Sequence, residues 1–156
     1  NGGYKIYPKI VLKKYDEDLK EDKFQPLVKN SKNIKIVQEA MFSSTNEVRG
    51  TSYRSRIDDP KYQFAGKTGT AQVKRITKQD RELDLKTIEI PYEERDHALY
   101  VAYGPYRDPR YAVSILVEHG GSGSSVAAPI AKKLFKKIID RHQIKKDINS
   151  KKYLDI

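Results

Sequence analysis

The sequence predicts an α+β fold, and three observations carry that expectation. The runs 97–104 (HALYVAYG) and 111–118 (YAVSILVE) are rich in strand formers and flank Gly104-Pro105-Tyr106-Arg107-Asp108-Pro109, a turn-forming stretch. The segment 126–142 changes period. It sets Ala127, Ile130, Ala131, Leu134, Ile138 and Ile139 on one helical face, with Lys132, Lys133, Lys136, Lys137 and Arg141 on the other. A third run, 62–75, contains FAGKTGTAQV and reads as a strand despite its glycines, because Thr68, Thr70 and Val73 are β-branched.

The remaining elements follow in chain order. Tyr4 to Tyr15 alternates apolar and basic residues around Pro8, the pattern of short extended pieces at a sheet edge. Residues 16–32 are charged and loop-like. From Asn33 the spacing of Ile34, Val37, Met41 and Phe42 predicts a helix, capped by Ser31 or Asn33 and ended by Gly50. Asp58-Asp59-Pro60 signals a turn, and the charged stretch 76–95 reads as a long excursion. Pro129 fits the last helix only in its first turn, with Ser124 or Ser125 as cap. Residues 143–156 read as a frayed basic tail.

With 156 residues, 37% hydrophobic and 33% charged, the chain is long enough for one domain with a core. A formal net charge of +10 permits binding to nucleic acid, anionic lipid or an envelope polyanion, and equally describes a Lys-rich solvated surface. The absence of cysteine excludes disulfides, thiolate nucleophiles and Cys-based zinc sites. No apolar run approaches the ~20 residues needed to span a bilayer, and no signal peptide is visible. An opening at Asn1, directly on Gly2-Gly3, is expected of a piece of a longer protein.

Gly66-Lys67-Thr68 invites comparison with a nucleotide phosphate loop, which needs a glycine five residues earlier and a helix immediately after. Residue 61 is lysine, and Gly69-Thr70-Ala71-Gln72-Val73 is a poor helix start, so both halves of that context fail. A strand accounts better for the same residues. Gly66 and Gly69 permit close approach of another backbone, which could pair as an added strand. Lys67 offers a fixed positive charge, and Thr68 and Thr70 offer hydroxyl and N–H donors for a carboxylate or oxyanion. Lys-Thr-Gly followed by a hydroxyl residue is the third motif of the serine acyl enzymes that react with β-lactams.

The match extends further. FAGKTGTAQV, DHALYVAYGP (96–105) and VEHGGSGSSVAAPIAKK (117–133) resemble the C-terminal part of class B penicillin-binding proteins, most closely the elongation type. Asn1-Gly2-Gly3, Pro8, Met41 and Gly50-Thr51 agree in order, so the resemblance covers nearly the whole chain. It implies a single incomplete domain, 1–156, of a penicillin-binding, serine β-lactamase-like transpeptidase fold. In it the strands 62–75, 96–105 and 110–119 form an antiparallel three-stranded meander packed by the C-terminal amphipathic helix. The helix from 33 would belong to the neighbouring helical part of that fold.

The implied activity is D,D-transpeptidation of peptidoglycan stem peptides through a serine acyl-enzyme, which β-lactams stall. By the same resemblance Lys67 assists electrostatics and proton transfer, and Thr68, Gly69 and Thr70 line the substrate strand. Thr68 and Thr70 hold the substrate carboxylate, and the Thr70 N–H forms half of the oxyanion hole. The implied setting is the periplasmic side of a bacterial inner membrane, among cell-wall elongation proteins. No cofactor or metal is implied.

Two departures limit that reading. No serine here has lysine three residues later, so the Ser-x-x-Lys nucleophile is absent and the chain is expected to be inactive alone. Ser31-Lys32-Asn33 matches Ser-x-Asn formally, but it follows Asn1-Gly2-Gly3, where the family's motif precedes that stretch, and reads as a chance match or helix cap. The alternative is a catalytically dead binding or scaffolding module that keeps a carboxylate-recognising strand. In a fragment, surface left without its upstream partner predicts a dimer or strand exchange. Leu99, where the family often has an aromatic residue, is a packing change.

Other candidates fare less well. His97 and His119 read as lying at opposite ends of two adjacent strands and His142 near a helix end, without a ligand cluster for metal. Gly120-Gly121-Ser122-Gly123-Ser124 lacks the final glycine of a nucleophile elbow. The tyrosines among lysines are explained more simply by packing than by nucleic-acid stacking.

Overall fold

The computed structural model describes residues 2–6, 25–74 and 87–152, with side chains as far as Gln143. The extended pieces expected over 7–15 and most of the excursion at 76–86 lie outside these residues. The chain divides into two compact units, 1–39 and 40–156.

In the first unit Tyr4 bridges Pro26, flanked by Lys5 N–H to Gln25 O and Leu27 N–H to Gly3 O, each 2.8 Å. Helix α1 (Ser31–Asn46) begins here and ends in the second unit. Its cap is Asn30, one residue before either predicted candidate. The Asn30 side chain accepts from Lys32 N–H at 3.0 Å, and its carbonyl accepts from Asn33 N–H at 3.1 Å. The helix closes as expected before Gly50, whose N–H turns back onto Glu47 O.

The second unit is built on an antiparallel sheet of β1 (Ala65–Ala71), β2 (His97–Gly104) and β3 (Tyr111–Val117), in the order β1-β2-β3. Gly69 pairs with Leu99 and Leu99 with Leu116, which fixes the register across all three strands. Strand β1 is shorter than the predicted 62–75. Tyr62 and Gln63 N–H both turn onto Asp59 O, as the Asp58-Asp59-Pro60 signal requires, and Val73 N–H goes to the Asp96 carboxylate. Short 3₁₀ turns at Thr87–Glu89 and Tyr92–Glu94 lead into β2.

Alternation on β2 divides the sheet into two faces. Ala98, Tyr100 and Ala102 are buried against the last helix, whereas Val101 is 46% exposed on the other side. A π-helical turn (Gly123–Ala127) precedes α2 (Ala128–Lys152), and Ser122 caps it, accepting from Ser125 N–H. Helix α2 extends beyond the predicted end at His142, so the backbone of 143–152 is helical. No Pro or Gly follows Pro129 to stop it.

The seam of α2 is also shifted from the predicted one. Ala127, Ala128, Ala131, Phe135 and Ile139 are buried, while Ile130 and Leu134 are each 38% exposed. Packing made the choice. Small residues on both sides (Ala98 and Ala102 against Ala127, Ala128 and Ala131) let the helix lie close to the sheet. The space left beyond them takes the Phe135 ring, stacked 4.9 Å from Phe64. Phe64 meets Tyr100 edge-on at 6.4 Å, so one aromatic column joins the helix, the residue that leads into β1, and β2.

Candidate functional site

The residues singled out from sequence, Lys67, Thr68, Gly69 and Thr70, all lie on β1, at the sheet edge that faces away from β2. In an antiparallel ladder each residue turns its N–H and C=O to the same edge, and successive residues alternate. Two bonds fix the phase. Gly66 N–H donates to Thr45 Oγ1 at 3.0 Å, and Phe64 O accepts from Asn46 Nδ2 at 3.0 Å, so residues 64 and 66 face outward. Residues 68 and 70 therefore face outward as well, while 67, 69 and 71 pair with Val101, Leu99 and His97. The end of α1 covers the first half of this edge. Beyond it, the outward N–H groups of Thr68 and Thr70 have no hydrogen-bond partner among the described residues.

A buried hydroxyl cluster anchors the covered half. The Tyr100 phenol, fully buried beneath β1, lies 2.9 Å from Thr45 Oγ1 and 3.1 Å from Ser52 Oγ. Ser52 Oγ also lies within hydrogen-bond distance of Ser44 O, at 3.0 Å, and of Thr45 Oγ1, at 3.4 Å, which ties the cluster to the end of α1. Burial pushes the Tyr100 phenol above its ordinary value, and the bonds to Ser52 and Thr45 offset part of that rise. Gly66 is required by the same contact: a Cβ there would stand 2.3 Å from the phenol oxygen. None of Thr45, Ser52 and Tyr100 is identified as a site residue from sequence. The signal available was Thr and Ser at positions that end a helix and form a turn, which is common to many surfaces.

On the open half, Lys67 curls around the edge. Its Nζ donates to Thr68 O at 2.8 Å and to Thr68 Oγ1 at 3.3 Å. Thr68 Oγ1 also lies 3.4 Å from Thr51 Oγ1, which is 3.2 Å from Ser44 Oγ. Gly69 backs onto the π-helical turn so closely that a Cβ on Gly123 would lie 2.8 Å from Gly69 O and 2.5 Å from Leu99 O. The arrangement presents a cation, two hydroxyls and two outward N–H groups along one open strand. It can accept an extended backbone and neutralise an anionic group on it.

At the far end of β1 the structure corrects the placement of two histidines. Antiparallel pairing brings the start of β2 beside the end of β3, so His97 and His119 are in contact, with ring centroids 4.8 Å apart. His119 N–H donates to His97 Nδ1 at 2.9 Å, and His119 Nδ1 donates to Arg95 O at 3.2 Å. These bonds hold His119 at φ +54° and place the loop at Gly121, whose N–H donates to Asp96 O at 2.7 Å. His142 is elsewhere, its ring 6.0 Å from Tyr111. Among the described residues no His, Cys, Asp and Glu group is arranged to hold a metal, and no helix is long and apolar enough to cross a membrane. Ser31 and Asn33 lie in the first turn of α1, where Asn30 caps.

Comparison with known proteins agrees with this architecture. The family model of the penicillin binding protein transpeptidase domain matches residues 1–136. The peptidoglycan D,D-transpeptidase MrdA of Salmonella typhimurium is 36% identical over 105 residues, 67% of this chain and 16% of that protein. The Haemophilus influenzae protein of the same name is 38% identical over 94 residues, 60% of this chain and 14% of that protein. This chain thus spans only about a sixth of the length of these relatives.

Among solved structures, Helicobacter pylori PBP2, in a complex with MreC, superposes with a TM-score of 0.62 at 29% identity. That match covers 78% of this chain and 20% of the other. Pseudomonas aeruginosa PBP2 bound to WCK 5153 gives 0.54 at 33% identity, over 70% and 20%. The fold of this chain thus has its counterparts in these proteins, and with the family model matched over residues 1–136 the chain belongs to the penicillin-binding protein transpeptidase domain family.

Proposed function

We propose that this chain is one part of a peptidoglycan D,D-transpeptidase, an incomplete domain that supplies the substrate-binding strand but not the nucleophile. The observation that carries the reading is the open edge of β1, where the N–H groups of Thr68 and Thr70 face outward and the Lys67 ammonium is held at Thr68. A stem peptide ending in a carboxylate would lie along that edge as an added strand, its carboxylate held by Thr68 and Thr70. Gly69 keeps the strand low against it. The Thr70 N–H would stabilise the oxyanion as a serine from upstream sequence attacks the D-Ala-D-Ala bond. An amine from a neighbouring stem peptide then resolves the acyl-enzyme. Lys67 assists through its charge and in proton transfer.

The parent protein would act on the periplasmic side of the inner membrane. By analogy with the relative that forms a complex with MreC, it would work among cell-wall elongation proteins. A second reading, a binding module without catalysis, is favoured by one fact: no serine in this chain has lysine three residues later.

Intact mass after incubation with penicillin separates the two. The expected result is no adduct on this chain and one covalent adduct on the upstream-extended parent, forming more slowly with Lys67→Ala. A folded parent that stays unmodified would establish the binding module instead. An adduct on this chain alone would reveal a nucleophile outside the Ser-x-x-Lys pattern.

A further inference from the structure

Thr51 is exposed, precedes the Tyr53–Ser55 3₁₀ turn, and has no place in the strand motif. Its hydroxyl nevertheless bridges Ser44 Oγ and Thr68 Oγ1, at 3.2 and 3.4 Å. A hydroxyl has one proton to give and two lone pairs to receive. At Thr68 one lone pair is taken by the Lys67 ammonium, which can only donate. If Thr51 donates to the other, both lone pairs are filled and the Thr68 proton has no partner left within the protein. Ser44, at the end of α1, completes the polarity by donating to Thr51.

We propose that Thr51 is a positioning residue for Thr68: the chain Ser44 to Thr51 to Thr68 aims the Thr68 proton at an anionic ligand group on the open edge of β1. The inference rests on the reading of Thr68 as a carboxylate-binding residue and adds to it the group that orients its hydroxyl. Thr51 touches no ligand itself. Without it, the Thr68 hydroxyl is free to donate to water or to turn away, and the carboxylate loses a donor already directed at it.

The test uses the upstream-extended parent and penicillin, whose carboxylate is the probe. The dependence of acylation rate on penicillin concentration yields the dissociation constant of the non-covalent complex and the limiting acylation rate. Thr51→Val should weaken the non-covalent complex about tenfold, the size of one bond to a charged group. The limiting rate should stay within about twofold. Thr51→Ser, which keeps the hydroxyl, should restore binding. Thr68→Val should weaken binding at least as much, and the Thr51→Val, Thr68→Val double variant should be no worse than Thr68→Val alone.

Unchanged binding in Thr51→Val would overturn the proposal. So would an additive double variant, or a loss that Thr51→Ser fails to rescue. Thermal melting of each variant guards against a folding effect, and Thr51→Ala provides a second deletion of the hydroxyl. A wild-type parent that forms no adduct would remove the transpeptidase reading and this inference with it, an outcome distinct from a labelled parent indifferent to Thr51.

Discussion

Tyr100 and Tyr103 stand three residues apart on β2, on opposite faces, and have opposite hydrogen-bond accounts. The Tyr100 hydroxyl has Thr45 and Ser52, whereas the Tyr103 hydroxyl is buried with no partner among the described residues. Desolvation, with a smaller contribution from Tyr106, pushes the Tyr103 phenol up to about 12. Removing an orphaned hydroxyl should help, so Tyr103→Phe is expected to raise stability by about 1 kcal/mol at neutral pH in urea unfolding. The sign at alkaline pH follows from linkage. A raised folded value means that the unfolded phenol loses its proton first, near 10. Stability is therefore fully present below about pH 10 and falls as pH rises toward 12. Tyr103→Phe should flatten that fall; an unchanged alkaline slope would assign it to other tyrosines. Gly66→Ala tests the opposite site. Its methyl would strike both the Tyr100 oxygen and the ring carbon behind it, at 2.3 and 2.5 Å. A loss of about 1–3 kcal/mol is expected, of which Tyr100→Phe restores only part.

At the scale of elements, the sheet was largely legible and the helix contacts were not. His97–Gly104 coincides with its predicted run because β2 is central and buried on one face, so its composition and alternation reflect the strand directly. The Lys67-Thr68-Gly69-Thr70 strand was legible through its motif, but its ends were not. Turns onto Asp59 and Asp96 decide where pairing stops, and these are tertiary bonds. The α2 stripe was read with Ile130 and Leu134 inward and without Phe135, because hydrophobicity alone cannot tell which of two adjacent apolar rows meets a surface of alanines. Two substitutions express the difference. Phe135→Ala opens a cavity against Phe64 and should cost about 3–5 kcal/mol, whereas Leu134→Ala, on the outer side, should cost well under half of that. Equal losses would restore the predicted stripe. The Thr45–Ser52–Tyr100 cluster was illegible for another reason: its members are far apart in sequence and ordinary in type, and only the fold converges them.

For the whole molecule, the consequence lies in the surface the second unit leaves uncovered. Helix α2 protects one face of the sheet, but on the other Val101 and Leu116 are 46% and 56% exposed, with Leu99 paired between Gly69 and Leu116. Along the same sheet the outer edge of β1 is open at Thr68 and Thr70. An open edge is a template for pairing with another chain, and an adjoining apolar face gives such pairing a driving force. A net charge of +10 opposes self-association at low salt and is screened as salt rises. The chain by itself should therefore be monomeric in dilute low-salt solution and form dimers as concentration and ionic strength increase. Sedimentation across a salt series would show this as a weight-average mass that climbs with both variables. Leu116→Lys, which places a charge on the exposed face without touching the α2 core, should hold the chain monomeric throughout. Dimers that survive Leu116→Lys would point to the β1 edge alone. In that case penicillin, which binds without covalent attachment if the edge forms its site, should compete with dimerisation; a monomer at every salt and concentration would show that neither surface is sticky enough to matter.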